Sequence, residues 1–192
     1  MADQDLDLYM SQKYDPSTYP TMHYKDFDVV IDDISEEKLE WIGDQRGVKH
    51  LSATTFPTPP FPVKGYIDGY NFRFMVPLVV RRFGWPESTP VQVWFLCDPA
   101  SPFTCLTFKT LEALHGPGNI VDYSVDKNDP KNYTNFVMAI QDQKIHIECK
   151  ISKAHYKQVN ILGVNAMRKL RLSIDVDWRT KTFMLIQKKF VI

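Results

Sequence analysis

The feature that most constrains this chain is a run of apolar residues that ends abruptly in an acidic one. Residues 91–97 read Val-Gln-Val-Trp-Phe-Leu-Cys, and Asp98 and Pro99 follow at once. A short, nearly continuous apolar run of this length is typical of a β-strand that is covered on both faces. A buried carboxylate has to be paired, hydrogen-bonded or protonated, so Asp98 needs an explanation. The run therefore predicts a buried strand with a candidate functional aspartate at its end.

Alternating patterns elsewhere predict further strands. Apolar and polar residues alternate over residues 145–151 and again over residues 172–178, with the two-residue period of a strand that buries one face. Residues 70–80 are also expected to be extended, with a break at Pro77. The predicted fold class is therefore mainly β.

Short helices are predicted at three places. Ser35 precedes residues 36–42 as an N-cap, and residues 107–115 carry Phe and Leu at helical spacing. A strand-to-helix step is predicted over residues 159–170, with Asn165 as the cap. These helices are short additions to the strands.

Length and proline placement indicate one core with an N-terminal extension. A chain of 192 residues is long enough for one domain of ordinary size and too short for two well-filled cores. Between residues 53 and 64 four prolines favour extended, polyproline-like geometry, namely Pro57, Pro59, Pro60 and Pro62. We therefore expect an arm with a short helix at residues 1–52, a proline-rich linker at residues 53–64 and the main domain at residues 65–192.

The charge balance gives no reason to expect a polyanionic partner. Lys plus Arg and Asp plus Glu number 23 each, so nucleic-acid binding would need a local patch, and Arg168, Lys169 and Arg171 form only a weak one. The chain shows no basic and apolar leader and no stretch as long as a membrane span. The expectation is an intracellular protein, cytoplasmic by default, without membrane partners.

Metal, disulfide and cofactor chemistry is not indicated. Cys97, Cys105 and Cys149 form no CxxC pair and fit reduced core thiols better than a disulfide frame or a zinc site. His146 and Glu148 share a strand face but lack further ligands. With no phosphate-cradling glycine-rich loop, no cofactor and no metal are expected.

Two segments together resemble the signatures of the retropepsin-like aspartic proteases, the retroviral and retrotransposon type. The apolar run followed by Asp98, Ser101 and Thr104 is similar to the active-site strand and loop of that family. The second signature, an apolar pair plus glycine before a short helix, is matched by Ile161, Leu162 and Gly163, and Gly163 lies 65 residues after Asp98. The resemblance covers roughly residues 65–190 of the chain.

The resemblance implies a closed acid-protease β-barrel and a homodimer. In the family each protomer supplies one aspartate, and the two carboxyls share a proton because like charges about 3 Å apart do not both ionise comfortably. Asp98 is then the candidate catalytic residue, and Ser101 and Thr104 support its loop. Residues 184–192 would lie where such dimers interleave their ends.

The chain departs from the family in the catalytic loop and in the flap. Pro99 replaces a Thr or Ser whose hydroxyl braces the two loops, and proline has neither hydroxyl nor N–H. Ala100 replaces a Gly, so its methyl group should crowd the aspartates or force a different loop. The flap tip, usually glycine-rich, would be built here from Asn128, Asp129 and Pro130.

Three functions follow, in order of preference. The first is a catalytically degenerate retropepsin-like domain that acts as a homodimeric protein-binding or scaffolding module, with a peptide or protein partner. The second is an active aspartic endopeptidase that uses Asp98 from each protomer. The third is a nucleic-acid-associated accessory protein, which the zero net charge does not favour.

Overall fold

The structure is a computed structural model that describes residues 33–118, 136–153 and 156–188. These residues contain nine strands and three helices. The described residues all belong to one compact unit. The strands are β1 (Val63–Asp68), β2 (Arg73–Arg82), β3 (Val91–Cys97), β4 (Thr104–Leu106), β5 (Phe136–Ile140), β6 (His146–Ile151), β7 (Ile161–Leu162), β8 (Leu172–Asp177) and β9 (Thr182–Gln187). The helices are α1 (Glu36–Arg46), α2 (Phe108–His115) and α3 (Val164–Leu170). The predicted mainly β fold with a few short helices is confirmed.

The first two helices begin at side-chain caps. The Ser35 hydroxyl accepts a hydrogen bond from the Lys38 amide at 3.2 Å, as predicted, and α1 ends at Gly47 with a φ of 66°. The Thr107 hydroxyl accepts from the Thr110 amide at 3.1 Å and begins α2. Each cap satisfies an amide that the first helical turn leaves free.

The cap predicted for the third helix is wrong. The N-cap of α3 is Gly163, which has no side chain to offer, and Asn165 lies inside the first turn. The Asn165 amide group is engaged by a distant strand instead, as described below. Because this contact joins residues 61 positions apart, the local sequence pattern does not predict it.

The strands form one mixed sheet in the order β3-β7-β4-β6-β5-β2-β1-β9-β8, with an additional pairing of β3 with β2. Because of that extra pairing, the first and the last strand of the six-strand series from β3 to β2 lie side by side. The sheet is nevertheless not the closed barrel that was predicted, because β1, β9 and β8 continue beyond β2 and, within the described residues, β8 pairs only with β9. The two-residue alternation in β8 predicted a strand but not its neighbours.

The buried strand that the sequence predicted is β3, which the structure covers on both faces. The consecutive residues Trp94 and Phe95 are both fully buried and belong to different apolar clusters. Phe95 packs in the main cluster of the sheet, and Trp94 packs with Leu39 and Ile42 of α1. This two-sided burial explains why β3 is nearly continuously apolar.

The break predicted at Pro77 does not occur, because β2 runs through it. Pro77 lies opposite Trp94. The Trp94 amide donates to His50 Nδ1 at 3.2 Å and its carbonyl accepts from Asn160 at 3.3 Å, so this pair exchanges no ladder hydrogen bonds. The missing N–H of Pro77 therefore costs the ladder nothing.

Within the described residues, none of the helices combines the length and the hydropathy that crossing a membrane requires.

Candidate functional site

The two segments that resemble the family signatures lie side by side. β3 pairs in parallel with β7, which sets Leu96 opposite Ile161 and Cys97 opposite Leu162. The Asp98 amide then donates to the Leu162 carbonyl at 3.1 Å. Asp98 is half-buried and follows the last residue of β3. A pairing between residues 64 or 65 positions apart therefore places the aspartate beside the apolar-apolar-Gly step.

The loop after Asp98 is a turn that closes on the aspartate itself. The Asp98 carbonyl accepts from the Ser101 amide at 3.2 Å, and its Oδ1 accepts from the Ala100 amide at 2.9 Å. Pro99 occupies the second position of this turn, where its fixed φ is favourable. Ala100 has no positive φ and its side chain is exposed. The alanine is thus accommodated by a turn that does not require glycine.

Ser101 and Thr104 fasten this loop to the start of α3. The Ser101 hydroxyl donates to the Phe103 carbonyl at 2.8 Å, and the Ser101 carbonyl accepts from the Val164 amide at 2.8 Å. The fully buried Thr104 hydroxyl donates to Asn165 Oδ1 at 2.7 Å and accepts from the Gly163 amide at 3.2 Å. Both hydroxyls are therefore engaged in holding the loop.

Two asparagines join the site segments, and the sequence did not identify this role. Asn165 Oδ1 also accepts from the Thr104 amide at 2.8 Å, and its Nδ2 donates to the Glu148 carbonyl at 2.7 Å. Asn160, which is fully buried, accepts from the Thr107 amide at 2.9 Å. Asn160 directly before the apolar step was the available signal, because a buried amide needs partners for its polar atoms.

Gly163 allows the closest approach of the two segments. A Cβ atom built on Gly163 would lie 2.3 Å from the Phe103 carbonyl oxygen and 2.9 Å from the Ser101 carbonyl oxygen. Because both are backbone atoms, neither can rotate away. The glycine is needed for packing of the loop against α3.

The outer surface of the loop is apolar. Pro99, Ala100, Pro102 and Phe103 are exposed around Asp98, and Phe103 is 45% exposed. Val164, at the start of α3, is 43% exposed. We call these five residues and Asp98 the loop rim. The Lys150 ammonium lies 3.2 Å from the centre of the Phe103 ring and brings a positive charge to its border.

Other candidate residues fall outside this constellation. The predicted flap residues Asn128, Asp129 and Pro130 lie outside the described residues. Burial, with a smaller contribution from the Asp98 charge, raises the pKa of Cys97 to about 12, which leaves the thiol without nucleophilic character. The described part of the chain holds no group of three or more His, Cys, Asp or Glu that could bind a metal ion.

The basic residues and the C-terminal segment take structural positions. Lys169 Nζ donates to the His146 carbonyl at 3.3 Å, and Arg171 follows α3 with a φ of 53° as its C-cap. Residues 184–187 of the predicted dimer segment belong to β9 and pair with β8, and residues 184 and 185 also pair with β1. Residues 189–192 lie outside the described residues.

Comparison of the chain with protein-family models, with curated proteins and with solved structures gives no match.

Proposed function

We propose that this chain is a catalytically degenerate retropepsin-like domain that acts as a homodimeric protein-binding module. The observation that carries the proposal is the loop rim: a half-buried carboxylate at the end of a buried strand, surrounded by exposed Pro99, Ala100, Pro102 and Phe103. Exposed apolar side chains grouped in this way mark surfaces that contact other proteins.

The retropepsin-like part of the proposal is supported by the pairing of the two signature segments. Asp98 and Gly163 lie at the ends of adjacent parallel strands, and Thr104 bonds to both Gly163 and Asn165. A local motif match predicts neither of these long-range contacts. They are what a common active-site framework would require.

Loss of catalysis is supported by the composition of the turn. Acid catalysis by an aspartate pair needs both carboxyls held in a fixed relation, since preorganisation supplies much of the rate. Pro99 offers neither a hydroxyl nor an N–H for bracing a second loop. The hydroxyls of Ser101 and Thr104 are already engaged within the chain. The turn is thus stable but carries no side-chain brace across a two-fold axis.

Cleavage of an unfolded protein substrate between pH 3 and pH 7 tests the catalytic part. We expect no cleavage above the level of the Asp98→Asn variant, which keeps an acceptor oxygen for the Ala100 amide. A Pro99→Thr/Ala100→Gly double variant restores the family residues in the turn and serves as the comparison. Cleavage by the unchanged chain that is lost in Asp98→Asn would instead establish the alternative, an active endopeptidase.

Light scattering after size-exclusion chromatography tests the dimer. We expect a dimer at micromolar concentrations, weakened by Phe103→Glu because a charge would enter the loop rim. Phe83→Glu is the matched control, since Phe83 is 38% exposed and lies just after β2, near the opposite end of β3. A monomeric chain, or a dimer that both variants leave unchanged, would contradict the proposed interface.

A further inference from the structure

A pocket lies between α1 and β1 and is made of residues other than those of the loop rim. Its lining residues are Trp41, Ile42, Gln45, Arg46, Tyr66 and Asp68. The ring centre of Tyr66 lies 6.1 Å from that of the buried Trp94. We call it the α1–β1 pocket.

The size of the pocket argues for one side chain as its occupant. Its volume is about 120 Å³. Sites that enclose whole small molecules usually measure roughly 300–1,000 Å³. A cofactor or a metabolite would therefore be left mostly in water, whereas a single leucine or phenylalanine side chain of a bound peptide would be accommodated.

Positively charged side chains surround the α1–β1 pocket. Asp68 is neutralised by Lys38, whose Nζ lies 3.0 Å from its Oδ2. Arg46 and Lys64 lie over the Tyr66 ring at 4.3 Å and 5.7 Å from its centre, and neither forms an ion pair with a carboxylate within the described residues. Two cations thus border the pocket without a compensating acid.

The acidic residues of α1 lie on another side of the helix. With 100° between successive residues, Lys38, Trp41 and Gln45 share the face beside β1, while Glu37, Glu40 and Asp44 group on the adjacent face. Glu40 is also paired with Lys109. The carboxylates of Glu37, Glu40 and Asp44 therefore do not line the pocket.

An apolar contact is available beside the cations. Trp41 is 51% exposed, and the Lys38 ammonium lies 4.1 Å from the centre of its ring. Tryptophan and arginine side chains at the border of a pocket are typical anchors of protein interfaces. Complementary charge then selects the partner more than it adds affinity.

We propose that the α1–β1 pocket binds an acidic segment of a partner protein, with one apolar side chain of that segment in the pocket and its Asp or Glu residues against Arg46 and Lys64. This inference rests on the proposed protein-binding function and names the class of its partner. It assigns the contact to a surface separate from the loop rim.

Fluorescence anisotropy with three labelled synthetic peptides tests the proposal on the full chain. The first carries a single Phe flanked by Asp and Glu, the second replaces the acids with Lys, and the third replaces the Phe with Gly. We expect the first to bind at least about tenfold more tightly than either of the others, a difference of about 1.4 kcal/mol. Binding should weaken as salt is raised.

Variants locate the binding. Arg46→Ala/Lys64→Ala and, separately, Trp41→Ala should each weaken binding of the acidic peptide by about tenfold, as expected when a central anchor or a charge pair is lost. Lys144→Ala/Arg168→Ala is the matched control, because it removes one lysine and one arginine at exposed positions of the turn between β5 and β6 and of α3, which do not line the pocket, and it should leave binding unchanged.

Each other outcome overturns the assignment. Equal binding of the acidic and basic peptides, or full binding by Arg46→Ala/Lys64→Ala, would remove the pocket as the site. A labelled oligouridylate that binds and is lost in the same double variant would assign the pocket to nucleic acid instead. A catalytically inactive dimer that binds none of the peptides refutes this inference alone, whereas cleavage dependent on Asp98 refutes the proposed function alone.

Discussion

The side-chain oxygen of Asn165 accepts hydrogen bonds from both the amide and the hydroxyl of Thr104, at 2.8 Å and 2.7 Å, across 61 positions of sequence. Thr104 is fully buried, so neither donor has water as an alternative partner. This pair joins the strand after the Asp98 loop to the helix that follows the apolar-apolar-Gly step. The geometry around Asp98 therefore depends on a contact to Asn165, a residue outside both sequence motifs.

We predict that Asn165→Ala lowers the free energy of unfolding by about 2–3 kcal/mol, because it leaves two buried donors of Thr104 without an acceptor. Urea denaturation followed by tryptophan fluorescence measures the change. Asn71→Ala is the control. It also removes a side-chain hydrogen bond, the one that Asn71 donates to Asp33 at 2.8 Å, but at an exposed position. Equal losses in the two variants would show that Asn165 has no special role.

Gly163→Ala should be more destabilising than an alanine at an open glycine position. The added Cβ would lie 2.3 Å from the backbone oxygen of Phe103, and we expect a loss of about 3 kcal/mol. At Gly69 an added Cβ would have no atom within 4 Å. Gly69→Ala should therefore lower the free energy of unfolding by only about 1 kcal/mol, because of the φ of 67°. Thermal unfolding of both variants gives the ranking, and a smaller loss at Gly163 would contradict the close approach.

Asp33 should contribute stability that depends on pH. Burial raises the pKa of this carboxyl, but the hydrogen bonds from Arg73 and Asn71 and the charge of Arg73 outweigh it and leave the pKa below its usual range. A lowered folded-state pKa stabilises the fold above about pH 4 and loses that effect as the pH falls through the lowered value.

The comparison of Asp33→Asn with the unchanged chain measures this contribution. We expect a difference of about 1 kcal/mol in the free energy of unfolding at pH 7, a modest value because the pair is partly exposed to solvent. The difference should shrink as the pH falls through the lowered pKa of Asp33. Asp44→Asn, which removes an exposed carboxylate on α1, is the control, and a constant difference for Asp33→Asn would refute the linkage.

The three cysteines should resist alkylation while the chain is folded. Burial raises the pKa of Cys97 to about 12 and that of Cys105 to about 11, and it also raises the pKa of Cys149. Thiolate, the reacting form, is then scarce at pH 8. Intact-mass measurement after iodoacetamide treatment should show almost no adduct in the native chain and three adducts in urea. A thiol that reacts rapidly in the native chain would indicate a local opening.

Several elements could be predicted because their cause is local. Ser35 caps α1 as predicted, since a cap is decided by the residue and the next three amides. The strand Val91–Cys97 was predicted as doubly covered because its own side chains are almost all apolar. Asp98 was singled out for the same reason, since a carboxylate directly after such a strand is conspicuous in the sequence alone.

Other features depended on neighbours that are distant in sequence. Pro77 was expected to interrupt its strand, but the Trp94 amide bonds to His50, so the proline occupies a position without a ladder bond. Asn165 was assigned as a helix cap, whereas its oxygen is taken by Thr104. In both cases a tertiary partner, and not the local propensity, decided the outcome.

The sequence by itself determined that residues 91–97 form a buried strand, where two of the helices begin, and that Asp98 directly follows this strand. The tertiary structure alone decided that β3 lies beside β7, that the sheet continues through β1, β9 and β8, and that cationic side chains border the α1–β1 pocket. The physical reason is that burial and capping depend on a residue and its near neighbours, whereas strand pairing and buried amide contacts are chosen among many distant partners by packing of the whole core.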